Sequence, residues 1–118
     1  MKVFVTGVAG QLGHDVVNEL KKRGHVAVGS DVVEPAENKA DELVLLDITD
    51  ASAVEEVLTR VNPDAVIHCA AWTAVDLAED EDKQEKVRAI NAGGTRNIAE
   101  VCKKLDCKMI YISTDYVF

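Results

Sequence analysis

The chain reads as an α/β protein built on a doubly wound parallel sheet, and three observations predict this. Short apolar runs alternate with longer segments of helical period from end to end, the pattern of successive βαβ units. The first run, Val3-Phe4-Val5-Thr6, enters glycines spaced G-x-x-G-x-x-G at Gly7, Gly10 and Gly13, and a helical segment follows at once. The run at 65–71 is almost continuously apolar, as a strand covered on both faces should be. With 118 residues, 47% of them hydrophobic and 29% charged, the chain has the composition of one globular domain with a core of its own.

Each element has a local reason. Residues 3–6 form the first strand. Residues 11–23 form a helix with Leu12, Val16, Val17 and Leu20 on one face. Its basic end, Lys21-Lys22-Arg23, suits the negative pole of the helix dipole, and Gly24 closes it. Residues 25–29 make a second strand that ends at Ser30-Asp31. A loop with Glu34-Pro35 leads to a third strand at 43–46. Thr49 or Asp50 caps a helix reaching about Val61, with Val54, Val57, Leu58 and Val61 as its apolar stripe, and Asn62-Pro63-Asp64 breaks it. After the 65–71 strand and a loop, a long helix runs from about 82 to 105, its apolar positions Val87, Ile90, Gly94, Ile98, Val101 and Leu105 spaced three or four apart. Residues 108–113 form a fifth strand. Right-handed crossovers then give the strand order 3-2-1-4-5.

The charge balance excludes some roles. Thirteen basic against 21 acidic residues leave a net charge of −8, which argues against a nucleic-acid or anionic-membrane surface. No apolar run approaches membrane-spanning length, and residues 3–5 reach glycine too soon for a signal-peptide core. Cys69, Cys102 and Cys107 are odd in number and lack C-x-x-C spacing, so reduced thiols in a cytoplasmic protein are expected, with neither a disulfide framework nor a zinc site. The acids Glu79-Asp80-Glu81-Asp82 complement a helix N-terminus; no metal site is expected there.

The chemistry points to a dinucleotide. A glycine turn between a strand and a helix lets the backbone approach a pyrophosphate and aims the helix N-terminus at it. Asp31 follows Gly13 by 18 residues, at the end of the next strand, where a carboxylate binds adenosine ribose hydroxyls. A 2′-phosphate about 4 Å from Asp31 would meet repulsion of roughly 4 kcal/mol at an effective dielectric near 20. No arginine follows to offset it, so NAD is favoured and NADP remains possible. Asp47 suits either an adenine amino group or a turn before the next helix. Ala70 and Ala71 are small where a flat cofactor would cross the sheet edge, and core packing explains them equally. The loop Trp72-Thr73-Ala74-Val75-Asp76 lies at the carboxyl edge, where open α/β sheets bind ligands. His14 faces solvent or a phosphate, and His68 reads as a hydrogen-bonded core residue rather than a catalyst. Asn91, Gly93 and Gly94 are unusual inside a helix, where glycine costs about 1 kcal/mol against alanine. Close packing on the sheet explains them, or Asn91 faces the active site.

The string Ser113-Thr114-Asp115-Tyr116-Val117-Phe118, with residues 6–13 and 70–76, resembles the dTDP-4-dehydrorhamnose reductase family of extended short-chain dehydrogenase/reductases, along the whole chain. The resemblance implies a Rossmann-type domain over residues 1–118, the N-terminal portion of a longer, NAD(P)H-dependent enzyme. That enzyme would reduce the 4-keto group of a dTDP-6-deoxy-hexulose, giving dTDP-L-rhamnose for cell-wall polysaccharide. It implies that Gly7, Gly10, Gln11, Leu12 and Gly13 bind the pyrophosphate, Asp31 the ribose, and that Asp47 and Ile48 flank the adenine. Ala70, Ala71 and Thr73 would line the path to the nicotinamide, with Val75 and Asp76 near the sugar. Thr114, with Ser113, would help polarise the ketone beside Tyr116.

The chain departs from the family at Cys69, where asparagine is frequent, and at Trp72, where tyrosine or histidine is usual. A proton-donating Tyr-x-x-x-Lys is missing: Tyr111 has Asp115 four places on, and the partner of Tyr116 falls beyond Phe118. Cofactor binding without turnover is therefore expected of these 118 residues, and an unpaired fifth strand makes self-association plausible. A non-catalytic NAD(P)-binding regulatory module and a related nucleotide-sugar epimerase or dehydratase are the alternative readings.

Overall fold

The computed structural model describes residues 1–32, 40–69 and 81–111, with backbone alone at Gln11 and 81–92. Its elements run β1 (Lys2–Thr6), α1 (Gln11–Lys22), β2 (Val26–Asp31), β3 (Glu42–Leu45), α2 (Ala51–Val61), β4 (Ala65–His68), α3 (Glu81–Leu105) and β5 (Lys108–Tyr111). The five strands form one sheet in the order β3-β2-β1-β4-β5, every pair parallel, as the sequence predicts.

Alternation along the strands creates two cores. Phe4, Val28 and Val66 face α2 and α3, where they meet Val54, Leu58, Val61, Ile98, Val101 and Cys102. Val3, Val5 and Ala27 face α1, with Val8 and Val17 buried beside them and Leu12, Val16 and Leu20 packed around. The apolar stripes anticipated for α1 and α2 are thus the ones that pack.

Helix ends explain the shifts in boundary. α1 closes with Gly24 at φ 81°, whose N–H reaches the Lys21 carbonyl at 3.1 Å, while the His25 N–H reaches Leu20 at 3.0 Å. His25 is thereby held by the helix, and β2 begins one residue later than expected. β3 begins one residue early and ends at Leu45; the Leu46 N–H still bonds to the Asp31 carbonyl at 2.9 Å. Asp50, not Thr49, caps α2 by accepting from the Ala53 N–H at 3.1 Å. Thr49 is engaged by Asp47 instead, its N–H and hydroxyl donating to Oδ1 at 3.0 and 2.6 Å.

The glycines within α3 require a correction. A Cβ on Gly94 would lie 2.4 Å from Ile48 Cδ1, so at this position the helix is held close to the segment between β3 and α2, and the strands meet it further along at Ile98, Val101 and Cys102. A Cβ on Gly93 would meet nothing within 4 Å among the described residues, so none of them packs closely on it. The side chain of Asn91 lies outside the described residues.

Candidate functional site

The carboxyl ends of β1 and β2 gather the predicted glycines and acid. Gly7, at φ 74°, turns the chain out of β1, and the Gly10 N–H closes on the Gly7 carbonyl at 3.1 Å. The Val8 N–H donates to the Ser30 carbonyl at 3.2 Å and ties the turn to β2. Gly13 has a structural reason to be glycine: its Cβ would lie 2.2 Å from the Gly7 carbonyl oxygen. Gly10 has none among the described residues, because the nearest atom to its Cβ would be at 3.5 Å, an ordinary contact, and its φ of −88° suits any residue.

α1 is N-capped by Gly10 without a side-chain cap or an acid in its first turn, so the N–H groups of that turn are left without a capping side chain among the described residues. That is the donor set of an anion site. Asp31 stands beside it, with Oδ2 accepting from the Ala9 N–H at 3.0 Å and Oδ1 from the Val32 N–H at 2.7 Å. The turn and the carboxylate are therefore one unit. Leu12 packs inward on the α1 core, while the side chain of Gln11 lies outside the described residues.

Asp47 and Ile48 leave β3 at the same edge, since Leu45 pairs with Asp31. The bonds from Thr49 hold the Asp47 carboxyl below its ordinary range and show it forming a turn. Ile48 is seated against Gly94, and its carbonyl accepts from Asn97 Nδ2 at 2.9 Å. Ala70, Ala71, Trp72, Thr73, Val75, Asp76, Ser113, Thr114 and Tyr116 lie outside the described residues.

A buried polar row runs beneath this edge. Thr6, Ser30 and His68 occupy one register line on β1, β2 and β4, each almost fully buried. His68 is hydrogen-bonded as its position in an apolar strand suggests: Nδ1 lies 2.6 Å from Thr6 Oγ1 and Nε2 3.0 Å from Thr95 Oγ1 on α3. Burial pushes its pKa down to about 4, so the ring is neutral at physiological pH. Sequence reasoning missed Thr6 and Thr95 as its partners. The available signal was that β1 and β4, otherwise mainly apolar, both end on a polar residue.

Other chemistry is weaker. Burial raises the Cys69 thiol to about 11; for Cys102, burial followed by Cys107 raises it to about 12, so neither is a nucleophile at neutral pH. Among the described residues no three His, Cys, Asp or Glu side chains converge as a metal site would require. No helix among them is long and apolar enough to cross a membrane.

Known proteins match this arrangement. The dTDP-4-dehydrorhamnose reductase of Mycolicibacterium smegmatis (strain ATCC 700084 / mc(2)155) is 37% identical over 117 residues, covering 99% of this chain and 31% of that protein. The structure of dTDP-4-dehydrorhamnose reductase from Bacillus anthracis str. Ames in complex with NADP aligns with a TM-score of 0.77 and 38% identity, covering 99% of this chain and 37% of that one. The Bordetella bronchiseptica enzyme WbmH in complex with NAD+ aligns with a TM-score of 0.71 and 29% identity, covering 89% and 36%. The chain thus spans about a third of the length of these relatives. The family described as the RmlD substrate binding domain matches residues 1–118, and the chain belongs to that family.

Proposed function

We propose that residues 1–118 form the nicotinamide-dinucleotide-binding portion of a cytoplasmic reductase. The whole protein would convert dTDP-4-dehydrorhamnose to dTDP-rhamnose. The observation that carries the binding reading is Gly10: nothing among the described residues requires glycine there, whereas a phosphate over the N-terminus of α1 does. The relatives bound to NADP and to NAD+ support the same cofactor class.

When bound, the reduced nicotinamide supplies a hydride. The chain's own residues bind and orient. Gly7, Gly10, Gln11, Leu12 and Gly13 surround the pyrophosphate. Gly10 contributes by leaving room for it, because its own N–H closes on the Gly7 carbonyl, and the first turn of α1 contributes its backbone N–H groups. Asp31 accepts from the ribose hydroxyls. Asp47 and Ile48 flank the adenine. Ala70, Ala71 and Thr73 line the nicotinamide path, Val75, Asp76 and Tyr116 approach the sugar, and Thr114 with Ser113 donates toward the ketone oxygen. Two backbone N–H groups hold the Asp31 carboxylate at the turn. A 2′-phosphate would have to displace it or meet its charge, which favours NAD over NADP. Among the described residues β5 is an outer strand, and the half-exposed Ile110 and Tyr111 on it support self-association of these 118 residues.

Calorimetric titration with NADH and NADPH tests the binding reading. The unaltered chain is expected to bind NADH more tightly than NADPH, and Asp31→Ala to narrow the gap. Gly10→Val is expected to weaken NADH roughly tenfold or more while the fold persists. Equal NADH affinity in Gly10→Val would remove the turn from the site. For the full-length protein, oxidation of NADH by dTDP-4-dehydrorhamnose tests the activity; no turnover would favour a regulatory binding module.

A further inference from the structure

We propose that His68 is a positioning residue for the dinucleotide site, bolting β1, β4 and α3 together at the end of β1, where the glycine turn that would contact the ligand begins. The inference rests on the dinucleotide reading above. Thr6 ends β1 and is followed by Gly7, where the glycine turn begins; His68 ends β4 and is followed by Cys69, from which the 70–76 segment departs. Thr6 and His68 are register partners across the sheet. Thr6 Oγ1 touches His68 Nδ1 at 2.6 Å and accepts from the Cys69 N–H at 3.0 Å. One hydroxyl therefore fixes both the ring and the exit of β4.

The proposed proton arrangement is one that this geometry accommodates. Thr6 Oγ1 accepts from the Cys69 N–H and lies 2.6 Å from Nδ1; in that arrangement its hydroxyl hydrogen goes to Nδ1, so that Thr6 uses both its acceptor and its donor capacity here. The ring then carries its hydrogen on Nε2 and donates to Thr95 Oγ1 at 3.0 Å. Tyr111 covers the β5 side, its ring centroid 5.3 Å from that of His68. Thr95 lies one residue past Gly94, which seats the same helix against Ile48. The imidazole thus sets the depth of α3 and the path of β4 with one tautomer. Sub-ångström placement of backbone is what a pyrophosphate and a flat nicotinamide require.

Thr95→Val removes the acceptor while keeping the shape, and Thr95→Ser restores it. Thr95→Val is expected to weaken NADH binding about fivefold or more by calorimetry, and Thr95→Ser to stay within about twofold of the unaltered chain. Long-range proton–nitrogen spectra of the three histidines, His14, His25 and His68, are expected to show His68 neutral with its hydrogen on Nε2. Thr95→Val that unfolds at lower temperature yet binds NADH within about twofold of the unaltered chain would make the contacts structural only and overturn the proposal. A hydrogen on Nδ1 would overturn it too, and that reading needs no variant to fold. If the unaltered chain binds no NADH, the dinucleotide reading fails first and takes the positioning role with it; normal binding with an insensitive Thr95→Val sinks the positioning role alone.

Discussion

Gly10 and Gly13 share a motif but answer to different demands. Gly13→Ala would drive a Cβ to 2.2 Å from the Gly7 carbonyl oxygen, a backbone clash that no rotamer relieves. We expect it to lower unfolding stability by about 3 kcal/mol, at the upper end for overpacking, or to prevent folding, as measured by urea denaturation. His68 offers a second test. Its folded pKa is lowered to about 4 from an ordinary 6.5, so the unfolded chain takes the proton first as pH falls. The contribution is complete above about pH 6.5, declines toward pH 4 and is absent below it. Between pH 7.5 and 5 the protein is expected to lose about 2 kcal/mol that His68→Gln does not lose, read from paired urea titrations. The glycine spacing and the acid at 31 were legible because they are local patterns. The partner of His68 was not, because Thr6 lies 62 positions away and meets it only once the sheet forms.

Elements were legible through period, and their ends through competition for backbone groups. The stripe Val54, Val57, Leu58, Val61 identifies α2 from the sequence, and the structure packs it as read. The start of β2 was misplaced because the His25 N–H serves the end of α1, a choice that residue identity does not reveal. The glycine pair in α3 separates two causes that the sequence merges. Gly93→Ala, whose new methyl meets no described atom within 4 Å, is expected to raise stability by about 0.5–1 kcal/mol. Gly94→Ala pushes against Ile48 and is expected to cost about 1–3 kcal/mol, with thermal melts of both variants as the measurement. At the other helix, Asp50→Ala should cost about 1 kcal/mol through loss of the cap to Ala53.

At the scale of the molecule, strand order followed from the alternation of elements and the handedness of crossovers, so it was readable before any contact was known. Edges were less so, because exposure depends on which neighbours arrive. Among the described residues β3 and β5 are the outer strands, and Leu45 and Ile110 are 61% and 50% exposed. Sedimentation at rising concentration is expected to show association, reduced by Ile110→Lys, since a charge at an edge opposes strand pairing.

The pairing of β1 with β2 carries a consequence for how misfolding would be detected. Asp31 faces the glycine turn and Ser30 the opposite side, so sliding β2 by one residue would exchange a carboxylate for a hydroxyl or for Val32 at the ligand's edge. On the role proposed for Asp31, a chain folded out of step could keep its helices and much of its sheet and still fail to recognise a ribose. Cofactor affinity therefore works as a gauge of strand alignment, reporting an error of a single residue that circular dichroism would pass over.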